Sequence, residues 1–349
     1  MPTTEIVPAL NRYGLKELVL EPTNWCPLNC RHCSSNSHKM AKHNLDSSTC
    51  YRLIDEAAKL GVTQISFGGG EPTSVAIFLD LIAAVISNGM KAEIFSCGIS
   101  VRNATLKDLS SRLLSKLADW RNVKIIFGFL GGSASVHDST TQVEGSFALT
   151  LRSLENAKDC GLISEINFVP LKPNIKNFGE LVRLAESRGI PRINVLRFVP
   201  QGRGELFRSQ LELSFVEEQK FLRELAALRR RSHVTIRTGS PFNGLLPDPP
   251  VPCKAGATKL VIQSDGNVIP CEVFKHSARR AWELSAYENS LSDLLASKRL
   301  SSIQTLVGQP KCFECPVHSV LIKEIKKNAD IIDAISSESE NAQTNSIQA

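Results

Sequence analysis

The sequence predicts an α/β fold, a mostly parallel sheet of βαβ units followed by a small β-hairpin-plus-helix unit. Two observations predict the first part. Short β-rich apolar runs alternate with helix-periodic stretches from residue 17 to residue 199, and such alternation gives parallel strands joined by right-handed crossovers. The helical stretches also stop at glycines, namely Gly61, Gly89, Gly161 and Gly189, the residue that closes helices in the left-handed region. A third observation predicts the second part. Prolines cluster from Pro241 to Pro252, and then two β-rich runs flank Asp265-Gly266, a strong two-residue hairpin signal.

In chain order, Glu17–Pro22 reads as a buried strand, and Asn24–Ser37 as a polar loop carrying cysteines. Thr49–Leu60 is a helix, Gln64–Phe67 a strand running into Gly68-Gly69-Gly70, and Ser74–Asn88 a helix. Lys91–Ser96 is a strand, Leu106–Leu117 a helix and Val123–Phe129 a strand. The helix Ser146–Asp159, strand Glu165–Val169, helix Phe178–Ser187 and sixth strand Arg192–Val199 follow. Phe215–Arg231 is a long helix whose final arginines, Arg229 to Arg231, read as a solvated end that suits the helix dipole. His233–Thr238 is one more strand. Lys259–Ser264 and Asn267–Cys271 form the hairpin, with helices near Ser290–Lys298 and Pro316–Lys327. The polar, nonperiodic 336–349 segment reads as disordered. This divides the chain into an extension (1–15), the α/β domain (16–240), a proline-rich linker (241–252), a small domain (253–333) and a tail (334–349).

Ligands of parallel sheets collect at the carboxyl ends of the strands. The cysteine loop, the glycine run and the Ser96-Cys97-Gly98 turn all fall there.

The 349 residues are 42% hydrophobic and 22% charged, with a formal charge of +6. That is an ordinary globular composition, and the mild basicity gives no nucleic-acid signature. No apolar run approaches a bilayer span, and no secretory signal begins the chain, so a cytoplasmic protein without a membrane partner is expected. In a reducing compartment, clustered cysteines are more often metal ligands or catalytic groups than disulfides. There are ten.

Cys26, Cys30 and Cys33 place three thiols within eight residues. Thiolates hold iron–sulfur clusters, and three ligands leave one iron of a cubane open, as a catalytic metal requires. A closed zinc site with His32 or His38 as fourth ligand is the alternative.

The stretch Trp25-Cys26-Pro27-Leu28-Asn29-Cys30-Arg31-His32-Cys33 resembles the CxxxCxxC signature of the radical S-adenosylmethionine (SAM) superfamily, with His32 where an aromatic residue is usual. The resemblance implies a partial (β/α)6 barrel and a 4Fe-4S cluster whose open iron is chelated by SAM. It also implies reductive cleavage to a 5′-deoxyadenosyl radical, with electrons from a partner such as flavodoxin or ferredoxin. Gly68-Gly69-Gly70-Glu71-Pro72 resembles the family's GGEP motif. Gly69 and Gly70 would then approach SAM, and Glu71 would hold its methionine amine. Ser96-Cys97-Gly98 resembles the turn after the third strand, placing Ser96 at the cofactor. Arg197 is similar to a sixth-strand arginine that meets the SAM carboxylate, its other role being an ion pair. Gly131-Gly132, His137-Asp138 and Gly145-Ser146-Phe147 resemble the peptide-modifying branch, although Gly128 and Leu130 replace that branch's serine and acid. Gln201-Gly202-Arg203-Gly204 extends the likeness.

Cys253, Gly266, Cys271 and the pair Cys312 and Cys315 form a second set. Four thiolates make a closed site for zinc or a cubane. The spacing resembles the twitch form of the SPASM extension, which implies one auxiliary 4Fe-4S cluster and leaves His318 an ordinary polar residue. Cys50 and Cys160 read as small buried hydrophobes, whereas Cys97 sits at a strand end facing the presumed cavity. The resemblance leads to oxidative modification of a peptide or protein side chain. The alternatives are oxidation or rearrangement of a cyclitol, sugar or nucleotide, or a zinc-binding interaction protein. No residue stands out as a catalytic acid or base.

Overall fold

A computed structural model of the chain describes residues 14–242, 245–246, 251–275, 284–298 and 300. The expected helix Pro316–Lys327, the thiols Cys312 and Cys315, His318, the tail and most of the N-terminal extension lie outside the described residues.

Seven strands follow one another as parallel neighbours. They are β1 (Glu17–Thr23), β2 (Gln64–Gly69), β3 (Lys91–Ser96), β6 (Val123–Gly128), β7 (Ile163–Phe168), β8 (Arg192–Val195) and β9 (Thr235–Thr238). Helices cross between them: α1 (Ser47–Lys59), α2 (Phe78–Ser87), α3 (Ser111–Ala118), α4 (Ala134–Thr141), α5 (Ser146–Asp159), α6 (Phe178–Ser187) and α9 (Phe215–Arg231). Two single-turn helices, α7 (Arg203–Leu206) and α8 (Arg208–Leu211), precede α9. The sheet remains open, as a partial barrel requires. One continuous core lies between strands and helices, with Phe67, Phe78, Phe127, Phe168, Phe178 and Phe221 almost wholly buried. No helix among the described residues is long and apolar enough to cross a membrane.

The C-terminal hairpin joins the same sheet. Strand β10 (Lys259–Ile262) pairs parallel with β1, Glu17 opposite Lys259, and β11 (Val268–Ile269) pairs antiparallel with β10. Asp265-Gly266 turns the chain, Gly266 standing at φ +81° with Tyr287 packed where a side chain would be. The sheet thus has nine strands among the described residues, ordered β11-β10-β1-β2-β3-β6-β7-β8-β9.

Several elements differ from expectation: helix Ser74–Asn88 starts only at Phe78, after a 3-10 turn at Pro72–Ser74, and strand Asn267–Cys271 shortens to Val268–Ile269. The helix placed over Leu106–Leu117 starts only at Ser111, capped by Ser110, and Leu106 lies in a hairpin of β4 (Ile99–Arg102) and β5 (Thr105–Asp108). Asn103 and Ala104 at φ 51° and 57° form the two-residue turn such a hairpin favours. Helix α4 has no clear periodicity, since Ser, Thr and Asp fill it and one face is fixed by burial of His137. Strand Arg192–Val199 ends at Val195, because the chain then bends toward the cysteine loop. Arg229 is also no solvated end: its guanidinium donates to Ile236 O at 2.8 Å and Thr238 Oγ1 at 2.8 Å, fastening α9 to β9.

Candidate metal centre

The cysteine loop begins where β1 ends. Thr23 Oγ1 accepts from Trp25 N at 2.9 Å, and Asn24 pairs with His43 through both backbone and side chain. Farther on, Asn29 N and Arg31 N donate to the carbonyls of Thr141 and Thr140 at the end of α4, each at 3.1 Å. Cys33 N closes a turn onto Cys30 O at 3.2 Å, and Ser37 N donates to Cys33 Sγ at 3.3 Å. Cys26, Cys30 and Cys33 are all free and half-buried on this one loop. Burial pushes the Cys30 thiol well above its ordinary pKa, and the neighbouring sulfurs of Cys26 and Cys33 add to the shift while the Arg203 guanidinium opposes it.

Arg203 clamps the loop. Its guanidinium donates to Cys30 O at 2.9 Å, Asn36 Oδ1 at 3.2 Å and Ser37 O at 2.6 Å, and its backbone N donates to Cys33 O at 3.1 Å. Gly202, at φ +58°, lets the two backbones touch, since a Cβ there would lie 2.6 Å from Ser34 O. The Gln201–Gly204 run was legible as a motif, but its task of holding the cysteine loop was not.

The glycine run packs beneath the loop. Gly70 N donates to Thr23 O at 2.8 Å and Glu71 N to Trp25 O at 2.7 Å. A Cβ on Gly70 would lie 2.1 Å from Trp25 O, and one on Gly69 2.7 Å from Glu21 Cβ, whereas Gly68 faces open space. Glu71 is fully buried, and its carboxylate accepts from Ser96 Oγ (2.9 Å), Cys97 N (2.7 Å), Thr73 Oγ1 (2.6 Å) and Thr73 N (3.2 Å). Burial raises its pKa against these hydrogen bonds. Glu71 thereby locks the turn after β2 to the turn after β3. From the other side, Thr150 and Ser153 of α5 bond Cys97 O at 2.7 Å and Gly98 O at 2.6 Å.

Cys97 packs with Cys26 and Cys30 against an apolar cluster of Leu28, Ile99 and Leu149. Burial and then the adjacent Cys26 sulfur push its thiol pKa well above the ordinary value. On the loop's other flank, His32 and His137 are depressed to about 4, chiefly by burial, and His32 Nδ1 and His137 Nε2 are buried without a hydrogen-bond partner. Asp138 receives Gly145 N, Ser146 Oγ and Phe147 N at 2.7–2.8 Å, which sets the start of α5.

Arg197 stands apart from these groups. It forms an ion pair with Glu218 of α9 at 2.9 Å and donates to Pro241 O at 3.0 Å. Of the remaining cysteines, Cys50 is buried in the core, where burial lifts its thiol to about 12, and Cys160 ends α5 with its sulfur 3.3 Å from Ser115 Oγ.

In the C-terminal set, Gly256 N donates to Pro270 O at 3.0 Å, which draws the Cys253 arm toward Cys271. Both thiols are half-buried. The residues around the first loop fit an iron–sulfur cluster. They supply three thiols, a backbone donor to one sulfur and an apolar wall, the surroundings in which such clusters are held and tuned. Among the described residues no three of His, Cys, Asp or Glu converge on a single metal ion. A cubane takes each thiolate on a different iron, so it needs no such convergence.

Comparison with known proteins agrees with this chemistry. A model of the radical SAM superfamily matches residues 20–185, and the SPASM iron–sulfur cluster-binding domain matches residues 253–316. The mycofactocin maturase MftC of Mycolicibacterium smegmatis is 29% identical over 188 residues, covering 54% of this chain and 45% of that protein. The chain thus matches under half the length of that relative. The PqqA peptide cyclase of Methylocella silvestris is 25% identical over 303 residues, covering 81% of this chain and 77% of that protein. Among solved structures, Streptococcus suis SuiB bound to its precursor peptide SuiA aligns over 88% of this chain and 72% of that one, with TM-score 0.69 and 18% identity. Native anSMEcpe with bound AdoMet aligns over 84% of each chain with TM-score 0.66 and 16% identity. These structural likenesses show the fold.

Proposed function

Because the chain belongs to the radical SAM superfamily and carries a SPASM iron–sulfur domain toward its C-terminal end, we propose that it cleaves SAM reductively and abstracts a hydrogen atom from a peptide or protein side chain. Net oxidation of that side chain would follow when the substrate radical loses a proton and gives its remaining unpaired electron to the auxiliary cluster. Cys26, Cys30 and Cys33 would hold the SAM-binding 4Fe-4S cluster, and Cys253, Cys271, Cys312 and Cys315 a single auxiliary cluster of the twitch type. When bound, the first cluster supplies the electron that releases a 5′-deoxyadenosyl radical from SAM, and the protein orients and shields it.

The chain's own residues define the rest. Arg203 and Gly202 hold the three-thiol loop against the strand ends, and Gly70 seats the glycine run under Trp25. Glu71 fixes Ser96 and Cys97 at the rim. Its carboxylate already receives four donors, so any contact with a methionine amine shares an occupied group. The committed pairing of Arg197 with Glu218 favours a structural part for that residue over a contact with the SAM carboxylate. Leu28, Ile99 and Leu149 give Cys26, Cys30 and Cys97 an apolar surface to pack on. Electrons would come from a small reductant such as flavodoxin or ferredoxin.

The observation that carries the peptide substrate is the character of the relatives, a PqqA peptide cyclase that matches over 81% of this chain and a mycofactocin maturase that matches over 54% of it. One observation favours a small-molecule substrate such as a cyclitol, sugar or nucleotide: only four cysteines follow residue 240, enough for one auxiliary cluster. The test is anaerobic turnover with SAM, dithionite and short deuterated peptides encoded beside the gene. Deuterium in 5′-deoxyadenosine and a peptide lighter by two hydrogens support the proposal. Cleavage of SAM stimulated only by small polyols or nucleotides contradicts it, and Cys30→Ala should abolish cleavage in either case.

A further inference from the structure

The floor of the cysteine loop contains charges that the cluster chemistry has not used. Glu21, on β1, and Lys275, just beyond the Cys271 turn, are 3% and 4% exposed and form an ion pair with each other. Lys275 also donates to Ser35 Oγ, two residues after Cys33. Glu21 lies directly under Gly69, the distance from its Cβ to where a Gly69 side chain would begin being 2.7 Å. The Glu21–Lys275 pair therefore joins the cysteine loop, the base of the glycine run and the segment that carries an auxiliary thiol.

A second tie runs beside the first. Glu272, next to Cys271, pairs with Lys259 at 2.6 Å, and Lys259 reaches Glu17 at 3.5 Å. Gln201 Nε2 donates to Glu272 O at 2.6 Å, and Gln201 precedes the Gly202-Arg203 clamp on Cys30 and Cys33. The Cys271 segment is thus attached to the first loop from two sides. Isolated buried charges are costly, and a buried pair is held together only by its mutual attraction and hydrogen bonds. Burial disfavours the charge on Lys275, but Glu21 and then Glu272 more than offset it and raise its pKa above the ordinary value, with the Cys33 sulfur within range of its field.

We propose that Glu21 and Lys275 are a positioning pair that couples the auxiliary-cysteine segment to the SAM-binding cluster, both by seating Cys271 and by setting the charge beside Cys33; this rests on the cluster assignment above. A cluster becomes more negative on reduction, so a nearby cation favours the reduced state and a nearby anion disfavours it. Whatever unseats the Cys271 segment removes Lys275 from Ser35, so the condition of the second site is felt at the first. Coupling of this kind is reciprocal.

The test uses anaerobic holoenzyme held at a fixed potential, with the reduced fraction of the SAM-responsive cluster read by electron paramagnetic resonance. Lys275→Met should lower the reduced-to-oxidised ratio and Glu21→Gln should raise it, each on the order of tenfold, with the double variant near wild type. Shifts of the same sign, or none, overturn the proposal, since mere loosening of the fold moves both single variants alike. Melting of the apoprotein gives an independent readout. Each single variant should melt lower and the neutral double variant should recover, because removing both charges leaves no unpaired ion. A double variant no more stable than the worse single one overturns the joint. A wild-type protein with no SAM-responsive cluster defeats the cluster assignment instead, and the melting cycle still decides whether the joint exists.

Discussion

At the scale of single residues, the site depends on groups that meet backbone. Arg203 receives no credit from its charge alone. It matters because three carbonyl or amide oxygens of the cysteine loop converge on its buried guanidinium. Arg203→Met should lower stability by about 1–3 kcal/mol, since it strands the buried Ser37 carbonyl and the half-buried Cys30 carbonyl, and should cut the iron bound per chain after reconstitution. Urea unfolding and iron analysis measure the two effects. The glycines make a sharper contrast. Gly70→Ala forces a methyl group onto the Trp25 carbonyl at 2.1 Å, where only backbone could yield, whereas Gly68→Ala enters open space. The first variant should lose SAM-dependent 5′-deoxyadenosine formation or fail to accumulate, and the second should retain the fold at wild-type melting temperature. Equal behaviour of the two would show that close packing of the run is not what the site needs.

Among the elements, those whose periodicity agreed with their packing were legible in the sequence. Helices Ser146–Asp159, Phe178–Ser187 and Phe215–Arg231 have the bounds their apolar spacing predicts, because each buries one stripe against the sheet. Helix α4 and the β4–β5 hairpin were not legible. The first is built from weak helix formers held by buried His137, and the second turns on Asn103-Ala104, a pair whose positive φ angles leave little mark in composition. Strand β10 was legible as a hairpin arm, but its parallel pairing with β1 came from tertiary context: nothing local to Lys259–Ile262 names a partner. Caps also give the elements a pH signature. Asp46 caps α1, and hydrogen bonds from Ser48 and then Thr49 hold its carboxyl at about 2, below the ordinary 3.8. A depressed carboxylate stabilises the fold above its unfolded pKa, and that contribution fades as pH falls from about 4 toward 2. Asp46→Asn should flatten the fall of melting temperature in that window and leave the value at pH 7 little changed. An unaltered acid slope would remove Asp46 from the acid response.

Across the whole molecule, the sheet explains how the Cys271 segment, distant in sequence, returns to the first cysteine loop. Strand β1 ends in the first cysteine loop and carries β10 on its outer edge, and the hairpin returns the chain toward that loop at Cys271. The cysteine spacings announced both sets. The clamp by Arg203 and the Glu21–Lys275 pair were hidden, because each joins residues more than 150 positions apart and no local pattern marks such a partnership. The central claim is that Cys26, Cys30 and Cys33 leave one iron open to SAM. Electron paramagnetic resonance of the reduced protein, with Cys253 and Cys271 replaced by Ala to silence the auxiliary site, tests it most directly. A cluster signal whose g-values move when SAM is added, and which vanishes in Cys30→Ala, is the predicted result. A signal indifferent to SAM, or one that survives loss of Cys30, would contradict it.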